Sequence, residues 1–183
     1  MNSSSHHKLS QPLHDWLHSL PHTLPLRATT CSPMFQGKRL EHWIAESNLP
    51  ADSLVTAMLW LRQGVIDPTH AIVQNGKSPL ASYLHGVVHR LEGDYWNSKY
   101  WFRQVRDIRL LRSLSLSMEQ LLQDEGLSSL AVSLSIMKGN EFDPSALVTA
   151  VEHLGQTPTR DSNDVRNLEV ISWIEWTALW GIV

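Results

Sequence analysis

Residues 84–103 read LHGVVHRLEGDYWNSKYWFR, and this stretch decides the fold because it encodes two helices joined by a tight turn. Apolar residues recur at helical spacing up to Gly93, a residue type that commonly ends helices. Asp94 follows directly and is a favoured N-cap for a second helix. We therefore predict a helical hairpin whose polar side chains converge near its turn.

The same helix signals recur along the chain on both sides of this hairpin. Three capping residues each precede a proline that suits the first helical position, and no segment shows a convincing alternating pattern. We predict an all-α fold of about eight or nine helices, with the hairpin at its centre and with residues 127–140 forming one of the helices. The three cap-proline pairs are Asp67-Pro68, Ser78-Pro79 and Asp143-Pro144.

The N-terminal part of the chain differs from the rest in composition. Residues 1–37 are rich in Ser, His and Pro, and only LHDWLHSL, residues 13–20, has the pattern of a short helix. We expect residues 1–37 to form an extended arm that wraps the body, and residues 38–183 to form a single all-α domain.

Composition and charge limit the possible partners. The 183 residues include 42% hydrophobic and 18% charged residues and carry a formal charge of -3, values of an ordinary globular protein. Such a charge provides no general attraction to nucleic acid or anionic lipid, so we expect neither as a partner. Cys31 is the single cysteine, which excludes an intramolecular disulfide and a cysteine-based zinc site. Without a signal-peptide pattern or a long apolar run, the sequence predicts a cytoplasmic protein.

The hairpin carries residues that can bind a metal ion. His85, His89 and Glu92 share one face of the predicted first helix, since they are four and three positions apart. Two imidazoles and a carboxylate can hold a divalent metal ion and leave one coordination position open. His70, on the preceding helix, is a further candidate ligand or hydrogen-bond partner.

Two other interpretations use the same polar side chains. Histidines that face carboxylates often form a hydrogen-bonded network that fixes helix orientation, and this interpretation is favoured because polar clusters more often serve structure. Alternatively, Arg90 and Arg103, with the backbone amides near Asp94, hold a phosphate or carboxylate. The residue that stacks on a ring of such a ligand would be Tyr95, Trp96, Tyr100 or Trp101. No glycine-rich phosphate loop is present.

These observations predict a ligand-binding, protein-binding or scaffolding module, with its pocket in the hairpin. The alternative is a metal-dependent enzyme that acts on a small molecule through His85, His89 and Glu92. The residues of the ligand site, or of the structural network, are His70, Gln74, His85, His89, Arg90, Glu92, Asp94, Asn97, Tyr100, Trp101 and Arg103.

Two further patterns stand outside the hairpin site. Four arginines follow one another at steps of three, a spacing that scatters them around a helix, so we interpret them as a solvated surface. The last helix is apolar on two faces, which predicts burial within the domain or, as an alternative, a homodimer through this tryptophan-rich helix. The arginines are Arg103, Arg106, Arg109 and Arg112, and the tryptophans of the last helix are Trp173, Trp176 and Trp180.

Two resemblances rest on the hairpin residues. The step from Gly93 to Tyr95, followed by small Ser98 and bulky Phe102, resembles the hairpin of tetratricopeptide-type repeats, of which one unit is visible. The string DxxHxxxQ from Asp67, with HxxxHRxEGDxxNxxYWxR from His85, resembles a family of uncharacterised bacterial and fungal helical proteins. That resemblance covers residues 59–103 and implies a helical fold without a known activity.

Overall fold

The computed structural model describes residues 9–27, 34–157 and 161–183, and these residues form ten α-helices and one small β-hairpin. The prediction of an all-α fold is confirmed. The helices are α1 (Gln11–Ser19), α2 (Met34–Glu46), α3 (Leu54–Arg62), α4 (Ile66–Val73), α5 (Pro79–Glu92), α6 (Tyr95–Gln104), α7 (Ile108–Asp124), α8 (Ser128–Ser133), α9 (Pro144–Gln156) and α10 (Ser162–Trp180). The strands are β1 (Met137–Lys138) and β2 (Glu141–Phe142).

Capping residues set most helix starts where the sequence predicts them. The side chains of Ser78, Asp94 and Asp143 each accept a hydrogen bond from a backbone N–H in the first turn of α5, α6 and α9. Asp67 is the exception, because α4 already begins at Ile66 and Asp67 lies within its first turn. A carboxylate there still interacts favourably with the positive end of the helix dipole.

The central hairpin consists of α5 and α6, which pack at very short range. Gly93 ends α5 with a φ of 83°, a left-handed conformation that glycine adopts readily. A Cβ at Gly86 would lie 2.8 Å from the Phe102 ring, and the Ser98 hydroxyl donates a 2.7 Å hydrogen bond to the Gly86 carbonyl. Small residues at positions 86 and 98 therefore allow the two helices to approach.

The last helix buries most of its second half against the rest of the domain. Buried residues of α10 pack with those of α3, α5, α7 and α9 in the main core, and the Trp176 indole donates to the Met58 carbonyl. This burial agrees with the first interpretation of its two apolar faces. Homodimerisation through α10 stays a prediction. No helix in the described part of the chain is long and apolar enough to cross a membrane.

Residues 20–27, which we call the N-terminal strap, lie against the body as an extended segment. Leu24 is buried, and its N–H donates to the Glu169 carbonyl of α10. The buried Arg62 guanidinium donates to the carbonyls of Pro21 and Thr23, and burial lowers the pKa of Arg62 to about 10. Residues 1–8 and 28–33 of the predicted arm lie outside the described residues, and its predicted end at residue 37 was wrong, because α2 already begins at Met34.

One predicted helix is much shorter in the structure. Residues 127–140 were expected to be helical throughout, but α8 stops at Ser133. Ser135 then has a φ of 58° and Gly139 a φ of 61°, and the chain turns into the strands β1 and β2. Positive φ values interrupt a right-handed helix, so the prediction was wrong for the second half of this segment.

Candidate metal centre

Three histidines from two adjacent helices meet at one site. His85 and His89 lie one turn apart on α5, and His70 extends from α4. The link between α4 and α5 is short, so the two helices lie side by side. The site therefore combines a pair that helical spacing places on one face with a third ring that only packing brings in.

The ring nitrogens of His70, His85 and His89 converge. One nitrogen from each ring lies within 4.8 Å of the others, and the Nε2 atoms of His70 and His85 are 3.0 Å apart. His85 and His89 are buried, whereas 33% of the His70 side-chain surface is exposed to solvent. A small ion could therefore reach the site from the side of His70.

Glu92 lies behind the ring nitrogens. Its Oε2 is 2.7 Å from Nδ1 of His89, and its Oε1 is 3.5 Å from Nδ1 of His70. The Asn97 side chain, from α6, is 3.1 Å from Nε2 of His89. If His89 donates its Nδ1 proton to Glu92, its Nε2 lone pair accepts a hydrogen bond from the Asn97 amide, and a metal ion bound at Nε2 would replace that bond.

This arrangement changes the role that the sequence suggested for two residues. We predicted His85, His89 and Glu92 as ligands, with His70 as a further candidate. The structure brings His70 to the histidine pair, and it places Glu92 in a hydrogen bond with His89 and 3.5 Å from Nδ1 of His70. Carboxylates occupy this position behind histidine ligands in many metal sites.

The environment of His85 keeps its ring neutral. Burial, and then the nearby His89 and His70, lower the pKa of His85 to about 4. The Trp101 ring stacks on the imidazole with centroids 4.0 Å apart and covers one face of it. A neutral imidazole is the form that binds a metal ion.

One nitrogen of the cluster is left without a partner. Nδ1 of His85 is buried and neither accepts nor donates a hydrogen bond among the described residues. An unsatisfied buried polar atom costs about 1–3 kcal/mol. The metal-free cluster is thus an incompletely satisfied polar network.

The geometry is close to that of a three-histidine site. Zinc–nitrogen bonds of about 2.0–2.1 Å in a tetrahedron place the ligand nitrogens about 3.3 Å apart. The His70–His85 separation of 3.0 Å is near this value, and the widest pair, at 4.8 Å, would have to close by about 1.5 Å.

Arg90, which the sequence placed in the polar site, is instead part of a separate buried network. Its guanidinium forms an ion pair with Glu175 of α10, and Tyr83 donates a 2.7 Å hydrogen bond to the same carboxylate. Burial and the Glu175 charge raise the pKa of Tyr83 well above its usual range. Neither Glu175 nor Tyr83 was predicted, although a glutamate inside the apolar stretch WIEWTALW was a possible signal.

The other predicted site residues lie around the cluster or away from it. Asp94 caps α6, Gln74 follows the last turn of α4 on the surface, and Tyr100 is 41% exposed. Arg103 is exposed and lines a different cavity. The predicted anion site between Arg90 and Arg103 is therefore not formed, because Glu175 already pairs with Arg90.

Comparison of the chain with protein-family models, with curated proteins and with solved structures found no match.

Proposed function

We propose that the protein binds a small-molecule ligand through a divalent transition-metal ion held by His70, His85 and His89. The observation that carries this proposal is the convergence of three imidazole nitrogens within 4.8 Å of one another. Three histidines are a common ligand set for zinc, and they leave a fourth position for an exchangeable ligand. The metal ion would thus be the element that recognises the ligand.

The hydrogen bonds around the histidines support metal binding. Glu92 orients His89 and approaches His70, and such carboxylates fix the ring orientation and raise the basicity of the ligand nitrogen. The Nε2 atoms of His70 and His85 are 3.0 Å apart, which is close to the separation of two nitrogens bound to one zinc ion.

Elemental analysis of the purified, untagged chain tests this proposal. We expect close to one metal ion per chain, its loss in His85→Ala/His89→Ala, and its retention in His14→Ala/His18→Ala. The second pair is a matched control because His14 and His18 are also four residues apart and have Nε2 atoms 3.1 Å apart, but are exposed. It therefore reports adventitious binding to a surface histidine pair.

A thermal melt after chelation and zinc addition gives a second readout. Zinc at about one hundred times its dissociation constant should stabilise the chain by about 2.7 kcal/mol. For a chain of this size, that corresponds to a rise in Tm of roughly 5–10 °C. His70→Gln removes one partly exposed ligand and should abolish the rise without unfolding the core. A wild-type chain that holds no metal and melts identically with and without zinc would show that the histidines form a structural network.

Metal-dependent catalysis is a second candidate, and the position of Glu92 favours it. Its side chain is 28% exposed, so the carboxylate lies beside both the histidines and solvent. Such a carboxylate can accept a proton from a metal-bound water. Zinc-loaded protein should then hydrolyse an activated ester such as 4-nitrophenyl acetate. Glu92→Gln should lose this turnover while keeping the metal at saturating zinc, whereas equal turnover in both chains would exclude this role.

A further inference from the structure

A second cavity lies apart from the histidines. It has a volume of about 740 Å³ and is built by the end of α6, one face of α7, the β-hairpin and the start of α9. Phe102 and Phe142 are buried side chains of its lining. Its volume is within the range of about 300–1,000 Å³ that is typical of small-molecule sites.

The face of α7 that lines this cavity follows a helical pattern of its own. Ile108, Leu111, Arg112, Ser115 and Leu116 all line the cavity and occupy positions i, i+3, i+4, i+7 and i+8. The buried core leucines and methionine of α7 form a neighbouring stripe along the helix, and the buried Ser115 belongs to both stripes. The helix is thus apolar towards the core and again towards the cavity.

Two of the cavity's apolar side chains are largely in solvent. Ile108 is 78% exposed and Leu116 is 56% exposed, and both are among the few large hydrophobic residues that the described surface exposes. Exposed apolar groups that cluster around a concave site indicate a binding surface, whereas scattered ones need no explanation.

The cavity carries a net positive charge, because Arg103, Arg112 and Lys138 line it together with two carboxylates, those of Glu141 and Asp143. Arg103 and Arg112 line it, both are exposed, and neither guanidinium has a hydrogen-bond or ion-pair partner among the described residues. Lys138, by contrast, pairs with Asp143 at 2.9 Å, and the same carboxylate caps α9. The cavity therefore offers two free guanidinium groups beside an apolar lining.

We propose that this cavity binds a monomeric anionic amphiphile, a molecule with an alkyl or acyl body and a single carboxylate head. The body would contact Phe102, Phe142, Ile108 and Leu116, and the head would pair with Arg103 and Arg112. Guanidinium groups pair with carboxylates through charge-assisted hydrogen bonds, which are stronger than neutral ones. This site shares no residue with the three histidines and is independent of the metal proposal.

The arginines provide a matched control for the test. Arg103 and Arg112 line the cavity, whereas Arg106 and Arg109 are also exposed but do not line it. The two double substitutions to alanine remove the same side chains and the same charge. A difference between them reports the cavity, because the overall electrostatic attraction changes equally.

Titration calorimetry of the full chain with sodium decanoate, below its micelle concentration, tests the proposal. We expect one decanoate per chain, binding weakened at least about tenfold in Arg103→Ala/Arg112→Ala, and binding within about twofold of wild type in Arg106→Ala/Arg109→Ala. Acetate, which has the head alone, and decyltrimethylammonium, which has the opposite charge, should not bind. Leu116→Asp places a carboxylate at the cavity on an exposed position and should also abolish binding.

Several outcomes would overturn the proposal. These are no decanoate binding, equal binding of decyltrimethylammonium, or equal losses in the two arginine double variants. Binding to vesicles of anionic phospholipid without binding of monomeric decanoate would assign the surface to a membrane instead. Circular dichroism of each variant establishes that the helices remain folded.

Discussion

Replacing Glu175 with leucine should destabilise the protein more than any other single change discussed above. The Arg90 and Glu175 side chains are 3% and 1% exposed, so the charge left on Arg90 would have no water to solvate it. Tyr83 would lose its hydrogen-bond acceptor as well. Breaking a buried ion pair by removing one partner typically costs about 3–5 kcal/mol. For a chain of this length, that corresponds to a fall in Tm of roughly 6–20 °C.

A double variant distinguishes the effect of removing both buried charges from the effect of leaving one of them unpaired. In Arg90→Leu/Glu175→Leu no buried charge remains, and apolar replacements of buried ion pairs are often close to neutral. We expect the free energy of unfolding of this variant to lie within about 2 kcal/mol of the wild-type value. The remaining cost arises because the Tyr83 hydroxyl still lacks its acceptor. The double variant should thus be more stable than Glu175→Leu alone.

Urea denaturation followed by circular dichroism measures these free energies of unfolding. If the free energy of unfolding depends on urea concentration with the same slope in every variant, shifts of the urea midpoint report changes in stability. A cost below about 1 kcal/mol for Glu175→Leu would refute the reasoning, because it would mean that water reaches the Arg90 guanidinium. A double variant less stable than the single one would refute the charge argument.

Two further predictions concern the hairpin. Gly86→Ala should lower the free energy of unfolding by about 1–3 kcal/mol, because its Cβ would lie 2.8 Å from the Phe102 ring. Gly181→Ala is the control and should lower it far less, because the atom nearest to its Cβ would be 3.6 Å away. Thermal melts of the two variants test this difference. In metal-free protein, Tm should fall as the pH drops from 6.5 towards 4, because the folded-state pKa of His85 is about 4 and the unfolded chain binds the proton first. A His85→Gln chain should show a smaller fall over this range, and an identical fall would contradict the assignment to His85.

The local sequence determined much of the hairpin and part of its site. Serine and aspartate before a helix, and glycine after one, act through bonds to backbone groups within a few residues. The α5–α6 turn at Gly93 therefore appears where it was predicted. Helical periodicity likewise placed His85, His89 and Glu92 together, since residues three and four apart are neighbours on any helix.

Only the tertiary structure decided which residues from distant segments join these. The approach of His70 depends on how α4 packs beside α5, and Glu175 meets Arg90 across 85 positions of the chain. Two of the four arginines line the cavity and two lie outside it. This difference depends on where α6 ends and on how α7 packs on the β-hairpin. Local patterns report which face a residue occupies, because helix geometry is fixed by the backbone. What that face meets depends on the packing of the whole core, which no short stretch of sequence encodes.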